Sequence, residues 1–198
     1  AKQWRDAALA AADRLSDAYR RDRRARAPHN LVLDASAAFA ESTEPIVLPT
    51  PIFEYRDDGE APAGVPVPGV ELSVGISRSQ YVWDAERDGW RRWSDGRALE
   101  SIGADGEQVV VAPTNVVVLE TDYVSSEADP KSPEAVTLGE GRAWVYTGGN
   151  VVEGRWRRDD RSAPWTLTAA DGNPIRLGRG TTWVALPSDR GAPVSMDA

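Results

Sequence analysis

The stretch from Gly141 to Trp156, GRAWVYTGGNVVEGRW, decides the fold of this chain, because it has the pattern of two strands joined by a tight turn. Trp144 and Tyr146 alternate with smaller residues, and this period of two is typical of a half-buried strand. Gly148 and Gly149 permit the positive φ angles that a two-residue hairpin turn requires. Gly154, inside the return strand, indicates a bulge or a close approach of another backbone segment.

The composition limits the classes of protein to which the chain can belong. It has 198 residues, 41% of them hydrophobic, which is enough for a packed core. The formal net charge of -8 predicts repulsion from nucleic acid and from anionic membrane surfaces. The chain has no cysteine, which excludes disulfides and thiolate chemistry. No apolar run is long enough for a signal peptide or a membrane span, so we expect any targeting segment to lie upstream of Ala1.

The first part of the chain has a helical pattern. Apolar residues recur at three- and four-residue spacing and predict an amphipathic helix from residue 3 to about residue 24: Trp4, Ala8, Ala11, Leu15 and Ala18. Its last part is basic, which complements the dipole at a helix C-terminus, and the helix is expected to end before Pro28. Asp34 or Ser36 can cap a second short helix that runs through Phe39 and Ala40.

From Val70 onward the chain reads almost entirely as strands and turns. The continuous run Val116-Val117-Val118 predicts a strand that is covered on both faces. The sequence thus predicts an α+β protein, in which an N-terminal amphipathic helix and a short second helix pack on a mostly antiparallel, hairpin-rich β-sheet system. We place the division between a helical part and a β-rich part at residues 1–45 and 46–198.

Three groups of residues, in this order and spacing, carry a resemblance to a known family. They are Arg26, Pro28, His29 and Asn30; then Asn115-Val116-Val117-Val118; and finally Gly141-x-Ala143, Gly149, Gly154-x-Trp156, Gly172 and Gly180-x-x-Trp183. On these residues the chain resembles the YerB-like lipoproteins, a bacterial family with a domain of unknown function (domain of unknown function 3048). The resemblance covers the end of the family's N-terminal domain and the whole of its C-terminal domain.

The resemblance implies an organisation and a location. Residues 1–45 would be a helical remnant of the family's N-terminal domain, and residues 46–198 its β-rich C-terminal domain. The family implies an extracytoplasmic, cell-membrane-anchored lipoprotein of the bacterial envelope, with its anchor upstream of this chain. Family members usually carry a His and an Asp at positions where this chain has Leu99 and Ser101. If that pair is functional in relatives, this chain lacks it.

Two groups of residues are candidates for binding a ligand. The first follows the predicted basic helix and comprises Arg20, Arg24, Arg26, His29 and Asn30. Its arginines can hold a phosphate, a carboxylate or an anionic glycan, although a charge run can equally be a solvated helix face. His29 can act as a base or an anion ligand, or His29 and Asn30 can simply satisfy backbone groups at a turn.

The second group is aromatic. Eight tryptophans are many for this length, and exposed rings on a sheet would suit sugars or peptides, whereas buried rings would fill the core. We expect Trp90 and Trp93 to be the exposed ones, because Arg91 and Arg92 separate them.

Catalytic and metal chemistry find little support in the sequence. The acidic pairs Asp57-Asp58 and Asp159-Asp160 can bind calcium or flank a glycosidic bond. They can equally be carboxylates of solvated turns without a ligand. With one histidine and no cysteine, a zinc site is close to excluded, and no cofactor motif is present.

The leading functional hypothesis is therefore a non-catalytic extracytoplasmic binding or scaffold domain. Its partner would be an envelope polymer, an anionic ligand or another protein, but not nucleic acid, and it would meet the membrane only through the upstream anchor. The alternative is a hydrolase that acts on a cell-envelope polymer through acidic residues.

Overall fold

A computed structural model describes residues 17–27, 30–41, 50–103, 105–127 and 129–196. The chain divides into two compact units, which we describe separately. The smaller unit comprises Ala1–Thr50 with Glu127–Pro130, and the larger comprises Pro51–Ser126 with Lys131–Ala198. Whether the family's two domains meet at residues 45 and 46, as we expect from the sequence, stays a prediction.

The smaller unit contains a β-hairpin where the sequence predicts the end of a long helix. Strand β1 (Tyr19–Arg21) pairs antiparallel with β2 (Leu31–Leu33), so the helix predicted for residues 3–24 is wrong over residues 17–24, and its earlier part lies outside the described residues. The physical reason is pairing with residues beyond the loop, which satisfies the backbone groups that a helix would otherwise satisfy locally.

The predicted second helix is present as α1 (Ala35–Glu41). The side-chain oxygen of Asp34 accepts the Ala37 N–H at 3.0 Å, which confirms the predicted cap. We expected this helix to pack on a sheet, but none of the residues of α1 is buried, so the expectation is wrong. The described structure is mostly β, with one α-helix of seven residues. The prediction of an α+β fold is therefore wrong.

The larger unit is built from fifteen short strands and one 3₁₀ helix, Asp189–Gly191, among the described residues. In chain order the strands are β3 (Val65–Pro66), β4 (Gly69–Val74), β5 (Ser77–Asp84), β6 (Gly89–Ser94), β7 (Arg97–Ala98), β8 (Glu100–Ile102), β9 (Gln108–Val110), β10 (Asn115–Leu119), β11 (Tyr123–Ser125), β12 (Pro133–Ala135), β13 (Gly139–Thr147), β14 (Asn150–Arg158), β15 (Thr166–Ala169), β16 (Thr182–Ala185) and β17 (Val194–Ser195).

Most of these strands form two sheets. The central sheet has the order β15-β14-β13-β10-β16, and β3 adds to β14 at the same edge as β15. Its pairs are antiparallel except β10 with β16, which is parallel. The second sheet, β17-β4-β5-β6-β7, is antiparallel throughout. The pairs β8-β9 and β11-β12 form separate two-stranded ribbons.

The predicted hairpin is the longest strand pair among the described residues. Strands β13 and β14 pair from Gly139↔Arg158 to Thr147↔Asn150, and Gly148 and Gly149 form the turn with φ angles of 56° and 78°. The prediction for Gly154 is also confirmed, because a Cβ there would lie 2.2 Å from the carbonyl oxygen of Thr168 on the neighbouring strand.

Strand β10 lies at the centre of the core. Val116 and Val118 belong to an apolar cluster that includes Leu72 and Tyr81 of the second sheet, so this cluster joins the two sheets. Val117 and Leu119 belong to a second cluster on the opposite face of the central sheet, which Phe53, Ile175 and Leu177 cover. The prediction that the valine run is covered on both faces is thereby confirmed.

Candidate functional site

The predicted basic group lies on the β1-β2 hairpin rather than on a helix. Arg20, Arg24 and Arg26 are exposed. Arg24 forms a salt bridge of 3.0 Å with Asp22, and this hydrogen-bonded pair lowers the pKa of the Asp22 carboxyl to about 2. These exposed side chains therefore form a solvated basic surface.

Asn30 has a structural role in this hairpin. Its amide donates to the carbonyl oxygen of Asp22 at 3.0 Å, and its side-chain oxygen accepts from Arg21 at 3.0 Å. The half-buried side chain thus ties the two ends of the loop together. His29, the other member of the predicted pair, lies outside the described residues.

The two predicted aromatic contacts have different environments. Trp90 is fully buried, against Trp83 at 5.1 Å and Tyr146 at 5.6 Å between ring centroids, so the exposure we predicted for it is wrong. Trp93, three residues later, belongs to the opposite face of β6. It is half-buried, and the Arg91 guanidinium lies 5.1 Å from its ring. Strand alternation thus separates the two rings.

The acidic pair Asp159-Asp160 lies in a turn that uses its carboxylates locally, whereas the Asp58 carboxylate of the other pair lies 3.5 Å from Arg179. Asp159 pairs with Arg157 at 2.8 Å, and Asp160 accepts the Ser162 N–H at 2.8 Å. The contacts with Ser162 lower the pKa of Asp160. Among the described residues, the carboxyl groups whose pKa departs from its ordinary value all have it lowered: Asp22, Glu71, Asp84, Asp160 and Asp171. The described part of the chain also has no cluster of three His, Cys, Asp or Glu residues that could hold a metal.

A more organised site lies where β10 begins, and we call it the Asn115 end. Asn115 is 0% exposed, and its amide donates to the carbonyl oxygen of Gly178 at 2.9 Å and to the Thr182 hydroxyl at 3.2 Å. Its side-chain oxygen accepts the Thr147 hydroxyl at 2.7 Å and the Gly178 N–H at 2.9 Å. One buried amide therefore joins the start of β10, the end of β13 and the loop before β16.

Arg56 binds to this cluster from the side. Its Nη1 donates to the Thr147 hydroxyl at 3.0 Å and to the carbonyl oxygen of Arg176 at 3.2 Å, and its backbone N–H donates to the carbonyl oxygen of Leu177. The side chain is half-buried. No carboxylate among the described residues forms an ion pair with it, whereas Arg176 and Arg179 both have acidic neighbours.

The glycines of the Asn115 end leave room for this guanidinium. A Cβ on Gly178 would lie 3.0 Å from Nη2 of Arg56, and a Cβ on Gly148 would lie 3.7 Å from it and 2.7 Å from the Pro62 ring. Larger residues at either position would displace Arg56 or its surroundings.

Arg56 forms part of the wall of a groove of about 310 Å³. The groove has apolar walls and charges of both signs, and its lining residues are Arg56, Glu60, Ala61, Ala63, Val152, Ala169, Asp171, Asn173, Pro174, Ile175 and Arg176. Arg176 lies 3.7 Å from Glu60, and hydrogen bonds from Asn173 lower the pKa of Asp171. This groove can bind a ligand that has one negative charge next to an apolar surface.

Sequence reasoning missed Arg56, although it named neighbours of this site as family residues. Asn115, Gly149 and Gly180 served there only as markers of the fold. The signal that could have found the site is the amide of Asn115 at the start of an otherwise apolar strand, since a buried polar group requires partners.

The described residues contain no helix of the length and apolarity that a membrane crossing requires.

A comparison with curated proteins gave no match. Among solved structures, the chain is similar to the crystal structure of the YerB protein from Bacillus subtilis, with a TM-score of 0.71 and 15% sequence identity over 99% of this chain and 67% of that one. At this identity the likeness concerns the fold. Residues 70–184, more than half of the chain, match the family described as "Protein of unknown function (DUF3048) C-terminal domain". The chain therefore belongs to the YerB-like DUF3048 family, as its sequence motifs predicted.

Proposed function

We propose that this chain is a non-catalytic binding domain of an extracytoplasmic envelope protein, and that Arg56 recognises a carboxylate of its ligand. The observation that carries this proposal is a half-buried arginine, fixed by two acceptors in the wall of a groove, with no acidic partner among the described residues. The location outside the cytoplasm rests on the family resemblance alone.

The geometry of Arg56 favours an anion. Guanidinium groups carry five N–H donors in a planar fork, and here the described acceptors use only Nη1. The remaining donors are available for a bidentate contact with a planar carboxylate. Because Thr147 and Arg176 already hold the side chain, a ligand need not order a free arginine on binding.

The other groove residues restrict the class of anion. Glu60 and Asp171 line the same groove and would repel a ligand with several negative charges. Apolar walls such as Val152 and Ile175 suit an uncharged or apolar body attached to the anionic group. A monoanionic carboxylate at the end of a peptide or on a sugar therefore fits better than a polyphosphate.

The alternative, hydrolysis of an envelope polymer by acidic residues, has less support. A general acid requires a carboxyl group with a raised pKa at neutral pH. The perturbed carboxyl groups of the described residues have lowered pKa values, chiefly through hydrogen bonds in turns and between strands. These groups are suited to staying ionised rather than to donating a proton.

The test is calorimetric titration of the chain with acylated dipeptides that have a free terminal carboxylate, with their terminal amides, and with uronate oligosaccharides. We expect one carboxylate class to bind, its amide or ester to bind at least about tenfold more weakly, and Arg56→Gln to have the same effect. The matched control is Arg97→Gln, which removes an exposed arginine from β7 outside the groove.

Equal affinity of Arg56→Gln and Arg97→Gln for the ligand would contradict the assignment of the site. Absence of binding by the whole carboxylate panel would favour a scaffold role, in which the domain contacts another protein.

A further inference from the structure

We propose a second ligand site at the opposite end of β10, a pocket that binds a primary ammonium group between Asp122 and Asp189. The pocket has a volume of about 130 Å³ and is lined by Glu120, Thr121, Asp122, Val136, Leu138, Glu140, Gly141, Trp156 and Asp189. We call this region the Glu120 end. The proposal is independent of the function proposed for Arg56.

The backbone of the Glu120 end is fixed on both sides. The Glu120 N–H donates to the carbonyl oxygen of Arg142 at 3.0 Å, and the Thr121 N–H donates to the carbonyl oxygen of Pro187 at 2.9 Å. The carbonyl oxygen of Asp122 accepts the Val136 N–H, and that of Glu120 accepts the indole N–H of Trp156, both at 2.8 Å. The floor of the pocket is therefore formed before any ligand arrives.

The charges in the pocket are unbalanced. Two of its four carboxylates have arginine partners: Glu120 is bound by Arg142, and Glu140 by Arg155 at 3.0 Å. Asp122 and Asp189 form no ion pair with any described residue. Hydrogen bonding to Glu120 raises the pKa of Arg142, and Asp189 adds to this effect through its charge. The local field thus favours one further cation.

A second observation points to a ligand at this place. Thr121 is only 5% exposed, it lines the pocket, and its hydroxyl has no hydrogen-bond partner in the described structure. A buried hydroxyl without a partner lowers stability, so such groups are rare unless something outside the chain completes them. An ammonium group in the pocket would supply a donor to this oxygen.

The residues favour an organic cation over a metal ion. Among the described residues no three carboxylates converge closely enough to hold a metal. Ammonium has three donors that can reach separate acceptors, and Val136, Leu138 and Trp156 offer apolar surface for the attached methylene chain. The chemistry fits a lysyl side chain or a free aliphatic amine.

The experiment uses the whole chain and titrates it by NMR with butylammonium, tetramethylammonium and potassium. Two further ligands distinguish the source of the amine, a peptide with one lysine and the same peptide with that lysine acetylated. We expect butylammonium and the lysine peptide to shift signals of residues 120–122, and the other three ligands to leave them unchanged. Tighter binding of the peptide than of butylammonium would indicate a protein partner, and the reverse a free amine.

The variants test the residues that carry the inference. Asp122→Asn with Asp189→Asn should weaken butylammonium binding about tenfold, since both unpaired charges are removed. The control Glu86→Gln with Glu107→Gln removes the same charge from exposed turns elsewhere and should have no effect. Thr121→Val should weaken binding several-fold without lowering the melting temperature, which separates loss of binding from loss of folding.

Two results would overturn the proposal: equal butylammonium affinity in the aspartate double variant and its control, or equal binding of potassium and butylammonium. The carboxylate site is tested separately, because Arg56→Gln should leave amine binding unchanged and the aspartate double variant should leave carboxylate binding unchanged.

Discussion

The two ends of β10 solve the same structural problem in opposite ways. Both ends must join the central strand to neighbouring loops while the backbone groups buried there keep their hydrogen-bond partners. At the Asn115 end, buried side chains make the hydrogen bonds, and Arg56 connects them to the groove. At the Glu120 end, backbone groups and the indole of Trp156 make them, and the charged side chains lie toward water.

Because of this difference, we expect the two ends to be sensitive to different kinds of substitution. A network of buried side chains depends on every member, because loss of one leaves several partners without bonds. A frame of backbone hydrogen bonds tolerates changes of its surface side chains but not of the space between its segments. We therefore expect the removal of a polar side chain to lower stability most at the Asn115 end. The addition of side-chain volume should lower stability most at the Glu120 end.

The largest effect is expected for Asn115→Ala. The change leaves both backbone groups of Gly178 and the hydroxyl of Thr147 short of a partner, so we expect the free energy of unfolding to fall by about 3 kcal/mol. Urea unfolding measures it, with Asp122→Asn as control, which should change stability by no more than about 0.5 kcal/mol. Equal losses in the two variants would remove the distinction between the ends.

Gly141→Ala tests the other half of the comparison. A Cβ at this position would lie 2.5 Å from the indole nitrogen of Trp156 and 2.6 Å from the carbonyl oxygen of Glu120, so it would break the hydrogen bond between them. We expect a loss of about 2–3 kcal/mol in the free energy of unfolding.

The control for this prediction is Gly172→Ala. Gly172 has a φ of 86° and open space around its Cβ position, so only backbone strain of about 1 kcal/mol should result. If Gly141→Ala were as mild as this control, the Glu120 end would be less rigid than we infer.

Sequence patterns predicted the parts of this molecule that depend on near neighbours. The Gly148-Gly149 turn and the alternation in β13 suffice to define the hairpin, and the valine run suffices to place β10 in the core. The helix predicted over residues 17–24 failed, because β1 owes its conformation to Leu31–Leu33 beyond a loop. Periodicity within a segment cannot show such a partner.

The candidate site depends on still longer distances along the chain. Arg56 contacts residues 91 and 120 positions away, and no spacing around it in the sequence sets it apart from the other arginines. Trp90 and Trp93 show the same limit at short range, since adjacent arginines do not tell which face of β6 packs on the core. The proposed binding site rests on contacts that only the folded chain provides.

The Asn115 end should also be the one that responds to alkaline pH. Tyr146, which pairs with Val116, is buried, and this burial together with the charge of Glu153 raises its pKa. Burial likewise raises the pKa of Tyr81. A raised pKa in the folded state means that the stabilisation is complete below the unfolded pKa of about 10 and is lost as the pH rises above it.

We expect the free energy of unfolding to fall by about 1.4 kcal/mol per pH unit through Tyr146 once the pH exceeds about 10, and Tyr81 should add to this fall. Urea unfolding at several alkaline pH values measures the slope, and tyrosinate absorbance shows whether ionisation accompanies unfolding. Tyr146→Phe should reduce the slope, because the phenylalanine side chain cannot ionise. An unchanged slope in Tyr146→Phe would assign the alkaline response to other groups.

The smallest effect is expected for the arginines of the Glu120 end. Arg155 and Glu140 are both largely exposed, so Arg155→Gln should change the free energy of unfolding by less than about 0.5 kcal/mol. Arg142→Gln should cost slightly more, about 0.5–1 kcal/mol, because it contacts the half-buried carboxylate of Glu120 through two nitrogens and stacks 5.1 Å from the ring of Trp144. The same change removes a competing cation, so Arg142→Gln should bind butylammonium more tightly than the unaltered chain. Weaker amine binding in this variant would mean that Arg142 holds the pocket in shape, and that it does not compete with the amine for the carboxylates.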